Sequence, residues 1–510
     1  MKLKEFTTHS GETILYNGNP DLQQLEFLSK GSGDIWHSSL DQGYRNLFPE
    51  IVYQTATFWY INDYENLSLC VSWRINSSQF AIRKSVWESL NGFDVDFETG
   101  TMQGLDLGYR ALKSGGIPLH VKGLFLADTE FITPISVQDR YVFYRKKYKI
   151  DHALLMLFRK GIFNWKEWNA LIFVAKHFKI EKNTPYLAPR KLNSVEGNPT
   201  ISYIIPTMLR QDFTMNLLKD LSKQEYLPTE VIIVDATPVE KRNLEIYNFE
   251  SLPFEVKLVW QITKGSCRAR NEAIALCTGD YIVFGDDDIR IPQNFIANHI
   301  RFLQTYKVDA CNGLDIRADH ENQNLDDLHE KIRKLSKASF KAGCALMFSN
   351  ANSCVSSEFV HKLVGNDVNF DGGYGEDSDF GMSLSKAGAI VLSNPFSVNL
   401  HLKPPAGGYR FWGNESKILG KKRKKQPWEL DTPVKWIRPV PSPTIVYGIQ
   451  KQFTTQQLKE YRYKYFFLFL FKGKKRTFVF RLLKLPLKIM QFKKSLFYAS
   501  ELNKLGTRYT

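Results

Sequence analysis

The sequence predicts an α/β protein built on a mostly parallel sheet with helices on both faces. Three observations carry that reading. Between residues 201 and 284, short apolar runs alternate with segments of helical spacing. Polar or acidic residues cluster at the ends of those runs. A thirty-residue block beyond this region also recurs near the N-terminus. The chain has 510 residues, too many for one ordinary domain, so two or three units are expected. With 43% hydrophobic and 24% charged residues, global disorder is excluded.

The elements follow in order. ISYIIP (201–206) is a short apolar run ending in proline, the mark of a buried strand. Residues 212–224 have helical spacing. EVIIVDA (230–236), KLVWQI (257–262) and YIVF (281–284) read as further strands, with a helix over 265–278 before the last. Such alternation implies parallel pairing with crossover helices. Upstream, HALLMLFRKGIFNWKEWNALIFVAKHFKI (152–180) predicts an apolar helical connector, and NSVEGNP (193–199) carries turn chemistry.

The repeat lies at a constant offset. LNGFDVDFETGTMQGLDLGYRALKSGGIPL (90–119) and LVGNDVNFDGGYGEDSDFGMSLSKAGAIVL (363–392) share 12 of 30 positions without a gap. This is an internal duplication of one structural unit. Asp106 and Gly108 recur as Asp379 and Gly381, which favours capping and packing roles; Arg83 and Arg110 also read as structural. Glu376 and Asp377 have no acidic counterparts, since Gln103 and Gly104 stand there. An amide and a glycine cannot take up a proton, and too few residues precede 90 to hold the same strands. Residues 1–150 are therefore expected to be a truncated, catalytically silent version of the second unit.

Charge is concentrated at one end. Residues 421–510 hold 22 Lys+Arg against 4 Asp+Glu, while 1–420 hold 46 against 49, within a formal total of +15. A near-neutral body argues against nucleic acid as a partner. KKRKK (421–425) is followed by aromatic-rich, basic sequence over 461–497. Basic residues interspersed with Phe and Leu suit an interfacial helix on an anionic membrane surface; a packed terminal helix pair is the alternative. Arg481, Lys484 and Lys488 fall on one helical face, and Pro486 is expected to kink or interrupt that helix. The longest apolar run, Tyr465 to Phe471, is seven residues, against the roughly twenty a membrane-spanning helix needs. The N-terminal MKLKEFTTHSGET lacks an apolar signal core. Six cysteines without a CxxC pair suit a reducing, cytoplasmic setting.

In an open parallel sheet, ligands bind beyond the carboxyl ends of the strands. Thr207 and Arg210 follow the first strand, Asp235 ends the second, and Asp286, Asp287 and Asp288 follow YIVFG. Three successive carboxylates repel and raise one another's pKa. A divalent cation would relieve that repulsion, and oxygen ligands suit Mg²⁺ or Mn²⁺; a solvated acidic turn is the alternative. Glu376 and Asp377 follow GGYG, which reads as a loop closing on a substrate, although acids at a helix start are also favoured by its dipole.

In this order, IIPTMLR, EVIIVDAT, GSCRARNEA, YIVFGDDDI and GGYGEDSDFG resemble the motifs of family-2 glycosyltransferases with the GT-A fold, over roughly 199–413. The resemblance implies that Asp235 contacts the nucleotide base, although Ala236 stands where the family often has a second acid. It implies that Thr207, Arg210, Arg270, Asn271 and Asp287 line the nucleotide-sugar site. Asp286 and Asp288 match the outer positions of the DxD motif, with Asp286 on ribose or metal and Asp288 on metal. Asp377, beside Glu376, would be the general base, and His401 a further metal ligand.

The expected organisation is a truncated, silent GT-A-like unit (1–150), a helical connector (151–198), a GT-A catalytic domain (199–419) and a basic, amphipathic helical tail that associates with membrane (420–510). The expected activity is inverting, metal-dependent transfer of a sugar from a nucleotide-sugar donor to a hydroxyl of a glycan or glycolipid acceptor. It would take place in surface polysaccharide or glycolipid synthesis, peripherally on the inner face of the cell membrane. Inversion needs one carboxylate to take the acceptor proton, an effect of about 10²–10⁴ in rate, and other groups to neutralise the departing diphosphate. A non-catalytic nucleotide-sugar- or carbohydrate-binding scaffold and a nucleotidyltransferase are the alternatives.

Overall fold

A computed structural model describes residues 3–38, 66–126, 135–182, 184–261, 264–345, 347–409, 425–471, 473 and 475–510. Most of the KKRKK run lies outside them. The chain forms two compact units: 1–189 with 341–346 and 453–486, and 190–340 with 347–452 and 487–510. The helices of the expected connector fall in the first unit, and the basic tail contributes to both.

The first unit opens with strands β1 (Lys4–Thr7) and β2 (Thr13–Asn17), helix α1 (Leu22–Ser29) and strands β3 (Ile35–His37), β4 (Leu69–Val71) and β5 (Phe80–Arg83). Helices α2 (Lys84–Ser89) and α3 (Gly100–Ser114), strand β6 (Pro118–Val121) and helices α4 (Val137–Lys147), α5 (Ile150–Lys160) and α6 (Trp165–His177) follow. The sheet order is β1-β2-β5-β3-β6-β4. Its core gathers Leu15, Ile35, Ile75, Phe80, Ile82, Val86, Leu90, Leu107 and Ala111. The apolar stretch expected as one connector is two helices, because Gly161 caps α5 at φ +129°, a conformation other residues rarely adopt. Residues 178–189 carry no helix among those described.

In the second unit, β7 (Ile201–Thr207), α7 (Gln211–Leu221), β8 (Glu230–Asp235), β9 (Glu255–Trp260), α8 (Ser266–Ile274), β10 (Tyr281–Gly285) and β11 (Ile289–Arg290) come first. They are followed by α9 (Phe295–Tyr306), β12 (Ala310–Arg317), α10 (Leu325–Arg333), β13 (Asn352–Ser356), α11 (Ser357–Leu363), α12 (Glu376–Lys386), β14 (Val391–His401) and α13 (Pro443–Gln452). The sheet order is β11-β14-β12-β13-β10-β7-β8-β9. β10, β7, β8 and β9 run parallel, and every residue of β7 and β8 is buried. That burial explains why these strands read as unbroken apolar runs.

The duplication extends beyond the shared block. β6-β3-β5 repeats β14-β12-β13: the first pair of each triplet is parallel and the second antiparallel. Both copies lock two aspartates with lysine from a later helix. Lys146 of α4 binds Asp94, and Lys147 reaches Asp106 at 2.7 Å. In the second copy, Lys451 of α13 reaches the equivalent Asp367 and Asp379 at 2.8 and 2.7 Å. Both glycines are required by packing. A Cβ at Gly108 would stand 1.9 Å from the Trp73 carbonyl oxygen, and one at Gly381 would stand 2.8 Å from the Phe348 nitrogen. In place of parallel strands like β7 and β10, the described part of the first unit carries the antiparallel β1–β2 hairpin beside β5.

The tail forms α14 (Thr455–Phe471) and α15 (Phe478–Leu505). The helix continues through Pro486, so of the two expected effects, a kink or an interruption, the interruption does not occur. Phe492, Ser495, Tyr498, Ala499 and Leu502 are buried, and the Tyr498 ring packs 5.1 Å from Trp428. All six cysteines are free thiols.

Candidate active site

The carboxyl ends of β7, β8 and β10 lie together, with Thr207 paired to Asp235 across the ladder. Asp286, Asp287 and Asp288 leave the end of β10. β14 reaches the same edge from a distant part of the chain. Its last residue, His401, pairs with Ile289 of β11, and the Leu402 amide donates to the Asp288 carbonyl at 2.8 Å. Strand register therefore puts the histidine beside the aspartates.

A cavity of about 730 Å³ opens there, lined by Arg210, Arg270, Asp286, Asp287, Asp288, Glu376, Asp377 and His401, among others. One ligand atom each of Asp286, Asp288 and His401 lie within 4.8 Å of one another. His401 Nε2 is 3.2 Å from Asp288 Oδ1, and Nδ1 is 3.0 Å from Asp315 Oδ1. Asp315 thus orients the ring and leaves Nε2 facing the aspartates, as ligating histidines require. Burial alone would lower the His401 pKa. The contacts to Asp288 and Asp315 outweigh it and raise the value to about 10. Two oxygen donors and an oriented imidazole fit a hard or borderline divalent cation such as Mn²⁺ or Mg²⁺.

Two arginines balance the acids. Arg210 Nη1 lies 2.8 Å from Asp288 and 3.2 Å from Asp287, and Arg270 Nη2 lies 2.7 Å from Asp286. Burial and the neighbouring Asp288 still push Asp287 up to about 7, against Arg210; Thr207 Oγ1 donates to Asp287 at 2.7 Å. The loop after β14 wraps over Arg210, whose Nε donates to the Ala406 carbonyl at 3.1 Å. Gly407 and Gly408 have φ of +84° and +77°, and a Cβ at either would fall within 3.0 Å of the Arg210 side chain.

Asp377 stands at the start of α12 and lines the same cavity. Its Oδ1 accepts from Asn350 Nδ2 at 2.5 Å. Asn350 was not among the residues read from sequence, nor were Arg317, Tyr374, Lys403 and Tyr409, which share the lining. Three expected site residues are not among those lining the cavity. Thr207 lies behind Asp287. Asp235 is fully buried, with its oxygens accepting from Tyr247 Oη and the Thr237 amide, each at 2.8 Å. Asn271 ties α8 to the Asn366 and Tyr509 carbonyls, both at 2.8 Å.

Acidic side chains and an oriented histidine thus meet at the carboxyl edge of this sheet. Residues 202–354 match the model of Glycosyl transferase family 2. WcaA of Escherichia coli (strain K12), named for colanic acid biosynthesis glycosyl transfer, is 34% identical over 95 residues, 18% of this chain and 34% of that protein. The match thus spans about a third of the relative's length. Among solved structures, S. aureus TarS 1-349 in complex with UDP-GlcNAc is 15% identical with a TM-score of 0.38, covering 60% of this chain and 83% of that one. Mannosyltransferase PcManGT from Pyrobaculum calidifontis, in complex with GDP-Man and Mn²⁺, is 18% identical with a TM-score of 0.35, covering 70% and 99%.

Proposed function

We propose that the protein transfers a sugar, with inversion, from a nucleotide-sugar donor to a hydroxyl of a glycan or glycolipid acceptor during polysaccharide synthesis. The observation that carries this reading is one cavity lined by Asp286, Asp288 and His401 and also, from the start of α12, by Asp377. Asp286, Asp288 and His401 would hold Mn²⁺ or Mg²⁺, which when bound supplies Lewis-acid neutralisation of the leaving diphosphate. Arg210 and Arg270 lie beside the same aspartates and orient the donor's phosphates by charge. Asp377 accepts the acceptor hydroxyl's proton as the new bond forms at the anomeric carbon. Glu376 lines the cavity next to it. The basic, apolar tail brings the enzyme to an anionic membrane surface, peripherally, since no helix among the described residues is long and apolar enough to cross one.

Steady-state transfer with a panel of nucleotide sugars tests this. Asp377→Asn should lower kcat by about 10²–10⁴ with little change in KM. Asp288→Asn should remove the thermal stabilisation that a donor gives only with Mn²⁺. Undiminished transfer in either variant would refute the assignment.

A further inference from the structure

The first unit carries a second group of exposed apolar side chains that the sugar-transfer site does not use. α5 packs against α14 through Phe158, whose ring lies 5.6 Å from Phe467 and 5.9 Å from Phe471. Phe471 continues the chain of rings to Phe478 at 5.5 Å. Phe158, Phe471 and Phe478 are nevertheless exposed, as are Val479, Phe480, Leu482 and Leu483 on the first turns of α15. Beyond the end of α5, the turn into α6 presents Phe163 at 99% exposure and Trp165 at 70%. Monomeric proteins rarely leave so many large apolar groups together in water without a partner.

The charge around these groups has one sign. Residues 453–486 hold nine Lys+Arg and a single acid, Glu460. That acid is buried against Arg159, with Nε to Oε2 at 2.9 Å. In the α5–α6 segment, Glu167 is buried against Arg140 at 2.8 Å. Lys160, Lys166, Arg476 and Lys484 are exposed among the apolar groups, and Lys484 Nζ lies 4.2 Å from the Phe480 ring centroid. Exposed aromatic and leucine side chains fringed by cations, with the acids withdrawn, match the boundary between lipid headgroups and acyl chains. A protein partner that recognised the apolar groups would not require that one-sided charge.

We infer that the α5–α6 turn, through Phe163 and Trp165, inserts into an anionic lipid surface together with the first turns of α15. The inference rests on the proposed membrane association of the tail and adds a second point of insertion, contributed by residues far from the tail in sequence. Two points would set the orientation of this unit on the membrane, where one amphipathic helix leaves rotation about its axis free.

Co-sedimentation of the full chain with phosphatidylcholine vesicles, with or without about a third phosphatidylglycerol, tests it. The wild type should sediment with the anionic vesicles only. A Phe163→Ser/Trp165→Ser double variant and a Leu482→Ser/Leu483→Ser double variant should each lose about tenfold in partitioning. Transfer to a soluble acceptor should stay unchanged in both, which reports that they fold. If the turn variant sediments like the wild type while the α15 variant does not, the inference is overturned and the tail reading stands. If the wild type ignores anionic vesicles, both fall. If the wild type is a dimer in lipid-free buffer and the turn variant a monomer, the face joins two copies and the inference is again overturned.

Discussion

Asn350 occupies a position with only one polar arrangement open to it. Its amide nitrogen donates to Asp377, since a carboxylate can only accept. Its Oδ1 is then buried without a hydrogen-bond partner in the cavity wall. A buried acceptor of that kind costs about 1–3 kcal/mol. Asn350→Ala should therefore both loosen Asp377 and remove a contact, lowering kcat/KM by about tenfold or more. Asn350→Asp should be worse, because it sets a second carboxylate against Asp377, the proposed base. Measuring kcat and KM separately for both variants checks this. The residue was invisible in sequence because SNANS is an ordinary polar turn until the fold brings it to α12. Asp235 shows the opposite. Its place at a strand end was legible, but Tyr247, a partner from an irregular segment with no period to read, was not.

At the level of elements, β7, β8 and β10 were readable because strands buried on both faces leave continuous apolar runs, while the half-buried edge strand β9 was readable from its short run KLVW. Their carboxyl edge, and hence the aspartates, came with them. β11, β12 and β14 were not readable, although their register is what delivers His401 to Asp288. Polar residues such as Asn312, Asn394 and Asn399 interrupt the pattern and are satisfied inside the sheet rather than by water. The glycines of the repeat illustrate how element packing constrains sequence. Gly381→Ala would press a methyl group to 2.8 Å from the Phe348 nitrogen, forcing α12 away from its neighbour. Overpacking of this kind typically costs about 1–3 kcal/mol. Urea unfolding should show that loss, and because α12 carries Glu376 and Asp377, transfer should fall with it.

Over the whole molecule, burial and charge divide differently. All of the excess positive charge sits in one tail, while three histidines are sealed inside. Burial lowers His37 to about 3, His120 to about 4 and His299 to about 3. His299 is fixed by Asn352 at 2.9 Å. A folded pKa below the unfolded value of about 6.5 means that the unfolded chain takes up protons first as pH falls. The stability these groups contribute is present above about 6.5 and is lost progressively toward about 3. His299→Gln keeps a donor for Asn352 but cannot titrate. Its deficit against the wild type, measured by urea unfolding, should shrink between about pH 7 and about pH 4. A deficit that stayed constant would show that the ring is not held neutral.

Gly104 stands where the other half of the chain has Asp377, and a Cβ there would sit 2.2 Å from the Ile75 carbonyl oxygen. The space that a side chain would need is filled by main chain. An acid written back at this codon would have nowhere to go unless the neighbouring loop first retreated. Regaining the acid would take two coupled changes, one in the side chain and one in the main chain it meets, so its loss at this position is hard to reverse.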